Sequence, residues 1–158
     1  MRKVVIALSL LAAVSAFGQV RVSAFVTAPD NGFGGSVEIH VAKRCAVELA
    51  TSSEKHKLTI GGIFDGHVVE FRTRSIDLTA HYYFTNQTRW QPYLGVGVRR
   101  TNTSSDEVDD RTFAEVDGGV HFMITPKFSL RISGKGLLNS GVSYDPAFRS
   151  ELGVAWRF

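Results

Sequence analysis

The 158-residue sequence lacks several features that organise other classes of small protein. Its single cysteine, Cys45, has no partner for an internal disulfide, which excludes a disulfide-stapled secreted module. No apolar run reaches the ~20 residues that a membrane-spanning helix needs. After residue 18 there is no helical period and no Lys/Arg-rich stretch, so nucleic acid is not an expected partner. The absence of a helical period argues against an α-helical domain after residue 18.

The N-terminus has the order of a secretory signal peptide. Met1-Arg2-Lys3 is basic, Val4 to Val14 is almost wholly apolar, and Val14-Ser15-Ala16 supplies small residues. Cleavage is expected after Ala16 or after Gly18, which gives a signal peptide over 1–18 and one domain over 19–158. Removing Arg2 and Lys3 leaves 16 basic and 15 acidic residues, a formal charge of +1.

The rest of the chain alternates between apolar and polar residues with a period of two, the pattern of half-buried strands. The C-terminal segment is typical: Leu152, Val154 and Trp156 share one face, and Arg149 and Glu151 share the other. In the fourth segment the alternation changes phase, which predicts a bulge near Arg74-Ser75. The eight predicted strands cover 20–27, 35–42, 45–53, 68–84, 91–101, 111–124, 127–138 and 148–158.

The connections between these segments alternate in length. Those at 43–44, 85–90 and 125–126 are short, whereas those at 28–34, 54–67, 102–110 and 139–147 are longer or richer in Gly and charge. Short turns at one end and long loops at the other are typical of outer-membrane barrels. We therefore predict an eight-stranded antiparallel up-and-down transmembrane β-barrel, with both termini on the short-turn, periplasmic side.

A soluble barrel of the lipocalin kind would show the same alternation. The composition of the polar face therefore has to distinguish a membrane barrel from a soluble one. That face carries many charges of both signs and no Lys, which suits a lumen filled with paired side chains better than a solvent face. Aromatic residues also gather near the short turns, as in an interfacial girdle. The predicted lumen charge network comprises Glu38, His40, Glu48, Asp77, His81, Arg99, Glu115, Asp117, His121, Arg131, Arg149, Glu151 and Arg157.

Four segments resemble the small eight-stranded outer-membrane barrels, and most of all the OmpW family. They are His81-Tyr-Tyr-Phe84, Gln91-Pro-Tyr-Leu-Gly-Val-Gly97, Val116-Asp-Gly-Gly-Val120 and Leu152-Gly-Val-Ala-Trp-Arg-Phe158. The resemblance implies a location in the bacterial cell outer membrane and a narrow lumen with a hydrophobic opening for small apolar compounds. A closing strand that ends at Phe158 also resembles the signal through which the barrel-assembly machinery recognises its substrates. The loops are shorter than that family would suggest.

Neither metal nor enzymatic chemistry has a strong signal. His40, His81 and His121 share the polar face and could bind a metal, but their spacing matches no metal signature, so packing in the lumen is the preferred interpretation. None of the five histidines is followed two positions later by Ser, the pair expected of a barrel deacylase. We expect no enzyme, metal or cofactor.

Cys45 is interpreted as a small residue at a strand start, with a reactive thiol beside Lys43-Arg44 as the alternative.

Two long loops carry candidate contact residues. Leu58, Ile60, Ile63 and Phe64 form either an apolar loop contact or an extension of the strands beyond the membrane. A second loop is acidic and is either solvated or holds divalent cations against lipopolysaccharide phosphates, through Asp106, Glu107, Asp109 and Asp110.

Two functional hypotheses follow. The barrel is a narrow pore or entry route for small apolar molecules, with a small hydrophobic ligand as a possible partner. Alternatively, it is a structural or surface-interaction barrel with a closed lumen, whose loops meet envelope or host components. Either would have outer-membrane lipid and lipopolysaccharide as partners.

Overall fold

A computed structural model describes residues 19–29, 31–60, 67–85, 87–103, 111–138 and 148–158, and within 57–60 and 67–71 it describes the backbone alone. Eight antiparallel strands form one closed barrel in chain order, as predicted. The strands are β1 (Val20–Ala28), β2 (Gly32–His40), β3 (Cys45–Ile60), β4 (His67–Tyr83), β5 (Trp90–Thr103), β6 (Arg111–Met123), β7 (Phe128–Leu138) and β8 (Phe148–Arg157). In the described ranges, no helix is long and apolar enough to cross a membrane.

The barrel closes between β1 and β8. Their register runs from Arg21 opposite Arg157 to Ala28 opposite Ser150. The amide of Phe158 also donates to the Val20 carbonyl at 2.9 Å. Closure leaves neither the first nor the last strand with an unpaired edge, which is how barrels avoid edge-to-edge association.

Among the described residues, the middle of the barrel has most of its apolar side chains outside and its charged side chains inside. Leu94 is 58% exposed and Leu152 55%, whereas Arg131 is fully buried and Glu48 is 1% exposed. A folded protein in water does not leave a continuous apolar belt in solvent, but a bilayer covers one. The soluble lipocalin-like alternative therefore does not describe this chain.

Gln19 and Phe158, the first and last residues that the structure describes, lie at the end of the barrel that holds the connections between β2 and β3, β4 and β5, and β6 and β7. Aromatic side chains border these turns: the rings of Trp90 and Phe122 are 4.7 Å apart, and those of Phe128 and Trp156 are 6.3 Å apart. Trp and Tyr rings accumulate where a bilayer meets water, because they have an apolar body and a polar tip.

Two predicted strands had wrong limits. The second runs over Gly32–His40 instead of 35–42, because the three glycines at its start hide the alternation. The third extends to Ile60, well beyond the predicted end at residue 53. The other strand ends differ from their predicted positions by two residues at most. The connection predicted over 28–34 is consequently no longer than the turns at the opposite end.

The predicted bulge near Arg74-Ser75 was also wrong. The β3–β4 register passes without interruption from Ser52 opposite Ser75 to Glu54 opposite Thr73. Outward residues change from apolar Ile76 to charged Arg74 at this level, so the pattern of hydrophobicity shifts although the hydrogen-bond ladder continues.

Candidate functional site: a lumen filled with paired charges

The inward side chains form a chain of ion pairs along the barrel, which we call the lumen network. Among the buried residues that the structure describes, it contains five permanent cations and seven carboxylates. The cations are Arg21, Arg99, Arg131, Lys135 and Arg149, and the carboxylates are Glu38, Glu48, Glu54, Asp77, Glu115, Asp117 and Glu151. Strand periodicity brings them together, because alternate side chains of the described parts of the strands point into the same narrow space.

The layer nearest the short turns is organised around Arg21 of β1. Its Nη1 donates to Glu38 Oε1 at 3.0 Å and to Tyr83 Oη at 2.8 Å, and its Nη2 donates to Gln91 Oε1 at 3.0 Å. The Tyr83 hydroxyl in turn donates to Glu38 Oε2 at 2.6 Å. The Tyr83 and Tyr93 rings lie 5.3 Å apart and fill the space beside this layer.

His81 links this layer to the next one. Its Nδ1 lies 2.9 Å from Glu38 Oε2, and its Nε2 lies 3.0 Å from Asp117 Oδ2. A histidine ring has two N–H donors only when it is protonated. The geometry therefore suits an imidazolium held between two carboxylates. A positive charge on His81 would reduce the excess of acidic groups in the lumen network.

The centre of the lumen is held by Arg131 and Lys135, both on β7. Arg131 pairs with Glu48 through both of its terminal nitrogens, and its guanidinium lies 5.6 Å from the centre of the Tyr93 ring. The Lys135 ammonium lies 3.1 Å from Asp77 Oδ2, and it lies 3.4 Å from Glu115 Oε1. Such pairing is what makes charge tolerable away from water.

Arg149 forms the layer nearest the long connections. It donates to Glu54 Oε1 at 2.7 Å, to Asp77 Oδ2 at 2.8 Å and to Glu151 Oε1 at 2.8 Å. Arg99 Nε donates to the other Asp77 oxygen at 3.1 Å. Asp77 thus joins three cations contributed by β5, β7 and β8.

Twelve of the thirteen residues predicted for the lumen lie buried there. The exception is Arg157, which lies half-buried at the short-turn rim and donates to the Pro126 carbonyl at 2.8 Å. His40 contacts Glu38 at 3.0 Å, and His121 Nδ1 lies 3.3 Å from Ser129 Oγ.

Leu58 and Ile60 fall in β3, where only the backbone is described, and Ile63 and Phe64 lie outside the described residues. The acidic loop residues 106–110 also lie outside them.

Three charged members of the lumen network were not predicted from the sequence. Arg21 stands on the polar face of β1 and Lys135 is in phase with Arg131 and Ser133, so continuing the alternation would have found both. Lys135 also shows that the expectation of a lumen face without lysine was wrong. Glu54 was assigned to a loop, and only the true length of β3 brings it inward.

Glu38, Glu48 and His81 also offer ligand atoms within 4.8 Å of one another. Each of these carboxylates is already paired with an arginine, Glu38 with Arg21 and Glu48 with Arg131. A metal ion there would compete with fixed positive charges at the same oxygens. The cluster is therefore better described as part of the lumen network than as a metal centre.

Comparison with known proteins places this geometry in a known fold. No protein-family model and no curated protein sequence matches the chain. The outer membrane protein OprG of Pseudomonas aeruginosa matches with a TM-score of 0.75 and 14% identity, over 89% of this chain and 96% of that one. The fold is that of a small outer-membrane β-barrel.

Two further structures agree. The N-terminal β-barrel domain of Pseudomonas aeruginosa OprF matches with a TM-score of 0.63 and 21% identity, over 89% of this chain and 98% of that one. The Yersinia pestis outer membrane protein Ail, in a phospholipid nanodisc, matches with a TM-score of 0.61 and 16% identity, over 89% and 99%. The predicted OmpW-like architecture fits the OprG-type fold, and at these identities the likeness concerns the fold alone.

Proposed function

We propose that the chain is a bacterial outer-membrane barrel with a closed lumen, which serves as a structural or surface-interaction protein. The observation that carries this proposal is the buried Arg131–Glu48 pair, whose side chains are both 1% exposed and reach across the barrel. Side chains of this size fill an eight-stranded barrel. The long connections would then be the parts that meet envelope or host components.

The lumen network favours this function over a pore for small apolar molecules. An apolar solute that moved along the axis would have to separate Arg131 from Glu48 and Arg149 from Glu54 without offering hydrogen bonds in return. Leaving buried charges unpaired costs several kcal/mol, about 3–5 for one broken pair. An apolar entry route would therefore have to avoid the described part of the lumen.

The proposed orientation follows from the same geometry. The signal peptide over 1–18 would direct export, and the strand that ends at Phe158 would engage the barrel-assembly machinery. The termini and the turns at 41–44, 84–89 and 124–127 would be periplasmic. The connections at the opposite end would face the exterior, as is usual for barrels of this type.

Ion conduction by folded protein in a planar bilayer tests the proposal. We expect the wild type to give no current steps above the lipid baseline. Removing both members of the central pair, with Glu48→Gly and Arg131→Gly, should produce measurable current. The matched control changes their outward neighbours instead, with Leu49→Gly and Leu130→Gly, and should remain silent.

Discrete current steps from the wild type would contradict the closed lumen. A silent double variant, no different from the outward control, would show that the Arg131–Glu48 pair is not the barrier. Both variants must first migrate as folded barrels on unheated gels, so that a silent trace reports the lumen and not a failure to insert.

A further inference from the structure

One part of the outward surface is basic although it borders the apolar belt. Lys55 of β3, Arg72 and Arg74 of β4 and Arg100 of β5 point outward and are exposed. Among the side chains described on β2 to β5, this outward face has those four cations and no carboxylate. Lys55 lies opposite Arg72, and Arg100 lies opposite Ile76, the outward residue next to Arg74 on β4.

A groove of about 360 Å³ lies beside this basic surface, across β2, β3 and β4. Gly35 points outward without a side chain, so backbone forms part of the floor, and Phe33 forms one wall at 70% exposure. Arg72 and Arg74 line the opposite side, and Thr51 and Ser53 place hydroxyl groups between the walls. Phe33, Ser53 and Arg74 occupy one register row across the three strands.

The position along the strands indicates the depth in the bilayer. Below the groove, toward the short turns, outward residues are apolar, as at Leu49, Ile76 and Leu78. Arginine is costly in the hydrocarbon core but stable at the headgroup level, where its apolar stem can lie along the acyl region. The basic surface therefore lies where the lipid headgroups are, at the end away from the termini.

We propose that this groove binds a phosphate group of lipid A, the phosphorylated glycolipid of lipopolysaccharide. Guanidinium groups match phosphate oxygens with two parallel hydrogen bonds, and hydroxyl groups can add further donors. Arg72 and Arg74 would hold the phosphate with Ser53, while Phe33 and the apolar belt would contact the sugar edge and the acyl chains. The assignment rests on the proposed function through its orientation, because lipid A occupies only the outer leaflet.

Native mass spectrometry of the folded full chain in detergent tests the site, with diphosphoryl lipid A as the probe. Arg72→Gln with Arg74→Gln should lower the affinity by about tenfold or more, since two charge-assisted contacts are lost. Lys43→Gln with Arg44→Gln removes the same charge at the opposite end of the barrel and should leave the affinity unchanged. Phe33→Ala keeps all four cations and should lower the affinity several-fold.

Two further arms identify the phosphate source. Lipid A without its phosphates should bind the wild type no better than it binds the Arg72/Arg74 variant. Inorganic phosphate at the same concentration should not displace the lipid, because it lacks the apolar contacts. Displacement by phosphate would overturn a lipid site, and equal binding by the wild type and the Arg72/Arg74 variant would overturn the site itself.

Loss of binding in the Lys43/Arg44 variant would place the lipid at the wrong end and overturn the assignment. The readout does not depend on whether the lumen conducts. A barrel that passes current but binds lipid A through Arg72 and Arg74 would contradict only the closed lumen, and the reverse result would contradict only the lipid site.

Discussion

At the scale of residues, Arg131 combines ion pairing with packing against an aromatic ring. It is fully buried, pairs with Glu48 through two nitrogens, lies 3.5 Å from Asp117 and 3.6 Å from Glu151, and covers the face of Tyr93. A lysine could not reproduce this arrangement, because the planar guanidinium binds a carboxylate with two bonds and stacks on an aromatic ring at the same time.

Replacing Arg131 by Met keeps most of the side-chain volume but leaves Glu48 buried without its main partner. We expect the free energy of unfolding to fall by about 3–5 kcal/mol. Urea titration of the folded protein in lipid vesicles, followed by tryptophan fluorescence, measures this change.

Two further variants serve as a control and as a rescue for the Arg131→Met measurement. Leu130→Met changes an adjacent lipid-facing residue and should alter stability by less than about 1.5 kcal/mol. Combining Arg131→Met with Glu48→Leu should recover part of the loss, since no charge is left unpaired. A loss under 1 kcal/mol for Arg131→Met alone would mean that the pair is solvated and that the lumen is open to water.

Period-two alternation predicted which face each of these residues occupies, but it could not predict their partners. Arg131 and Glu48 are 83 positions apart and meet across the lumen. That meeting depends on the register of every strand pair between them and on closure between β1 and β8. Neither is encoded in the local pattern, and a shift of one residue would exchange the two faces of a strand.

At the scale of elements, the seam between β1 and β8 leaves no room for a side chain at one position. Gly153 of β8 stands opposite Phe25. A Cβ there would come within 2.5 Å of the Ala24 carbonyl oxygen and 2.7 Å of Phe25 Cβ. Backbone cannot yield as a flexible side chain does, so this position requires glycine.

Gly153→Ala should therefore prevent closure of most molecules and lower the folded fraction in detergent several-fold. Gly118→Ala is the matched control, because the nearest atom to its added Cβ is the terminal Leu94 Cδ2 at 3.1 Å, which can move aside. The fraction of protein in the fast-migrating band of an unheated gel measures both. Equal folded fractions for the two variants would contradict the close packing at the seam.

The elements were predictable where one face meets lipid and the other meets the lumen. Beyond that zone the outward residues become polar, as at Lys55, Arg72 and Arg74, so the contrast between the faces disappears while the ladder continues. This explains why β3 was expected to end near residue 53 and why the change of phase in β4 suggested a bulge. The predicted limits of β2 were wrong for another reason. Its three glycines have no side chain whose polarity could indicate which face of the strand they occupy.

At the scale of the whole molecule, the arrangement is the reverse of a soluble protein. A belt that includes Leu94, Val96 and Leu152 faces outward, while the charges pair inside. The period of two, together with the excess of charge on one face, predicted this arrangement. The proposed lipid site on β2 to β4 could not be predicted from this pattern, because Phe33 and Arg74 become neighbours only through two strand pairings.

The measurement that tests the central claim most directly is the mobility of the full chain on heated and unheated gels, taken from a fractionated outer membrane. A closed sheet has no edge from which to fray, so a membrane barrel stays folded in detergent until it is boiled. The account predicts that the protein is found in that fraction and that its band shifts on heating. A protein recovered in the soluble fraction, with the same mobility in both lanes, would contradict it.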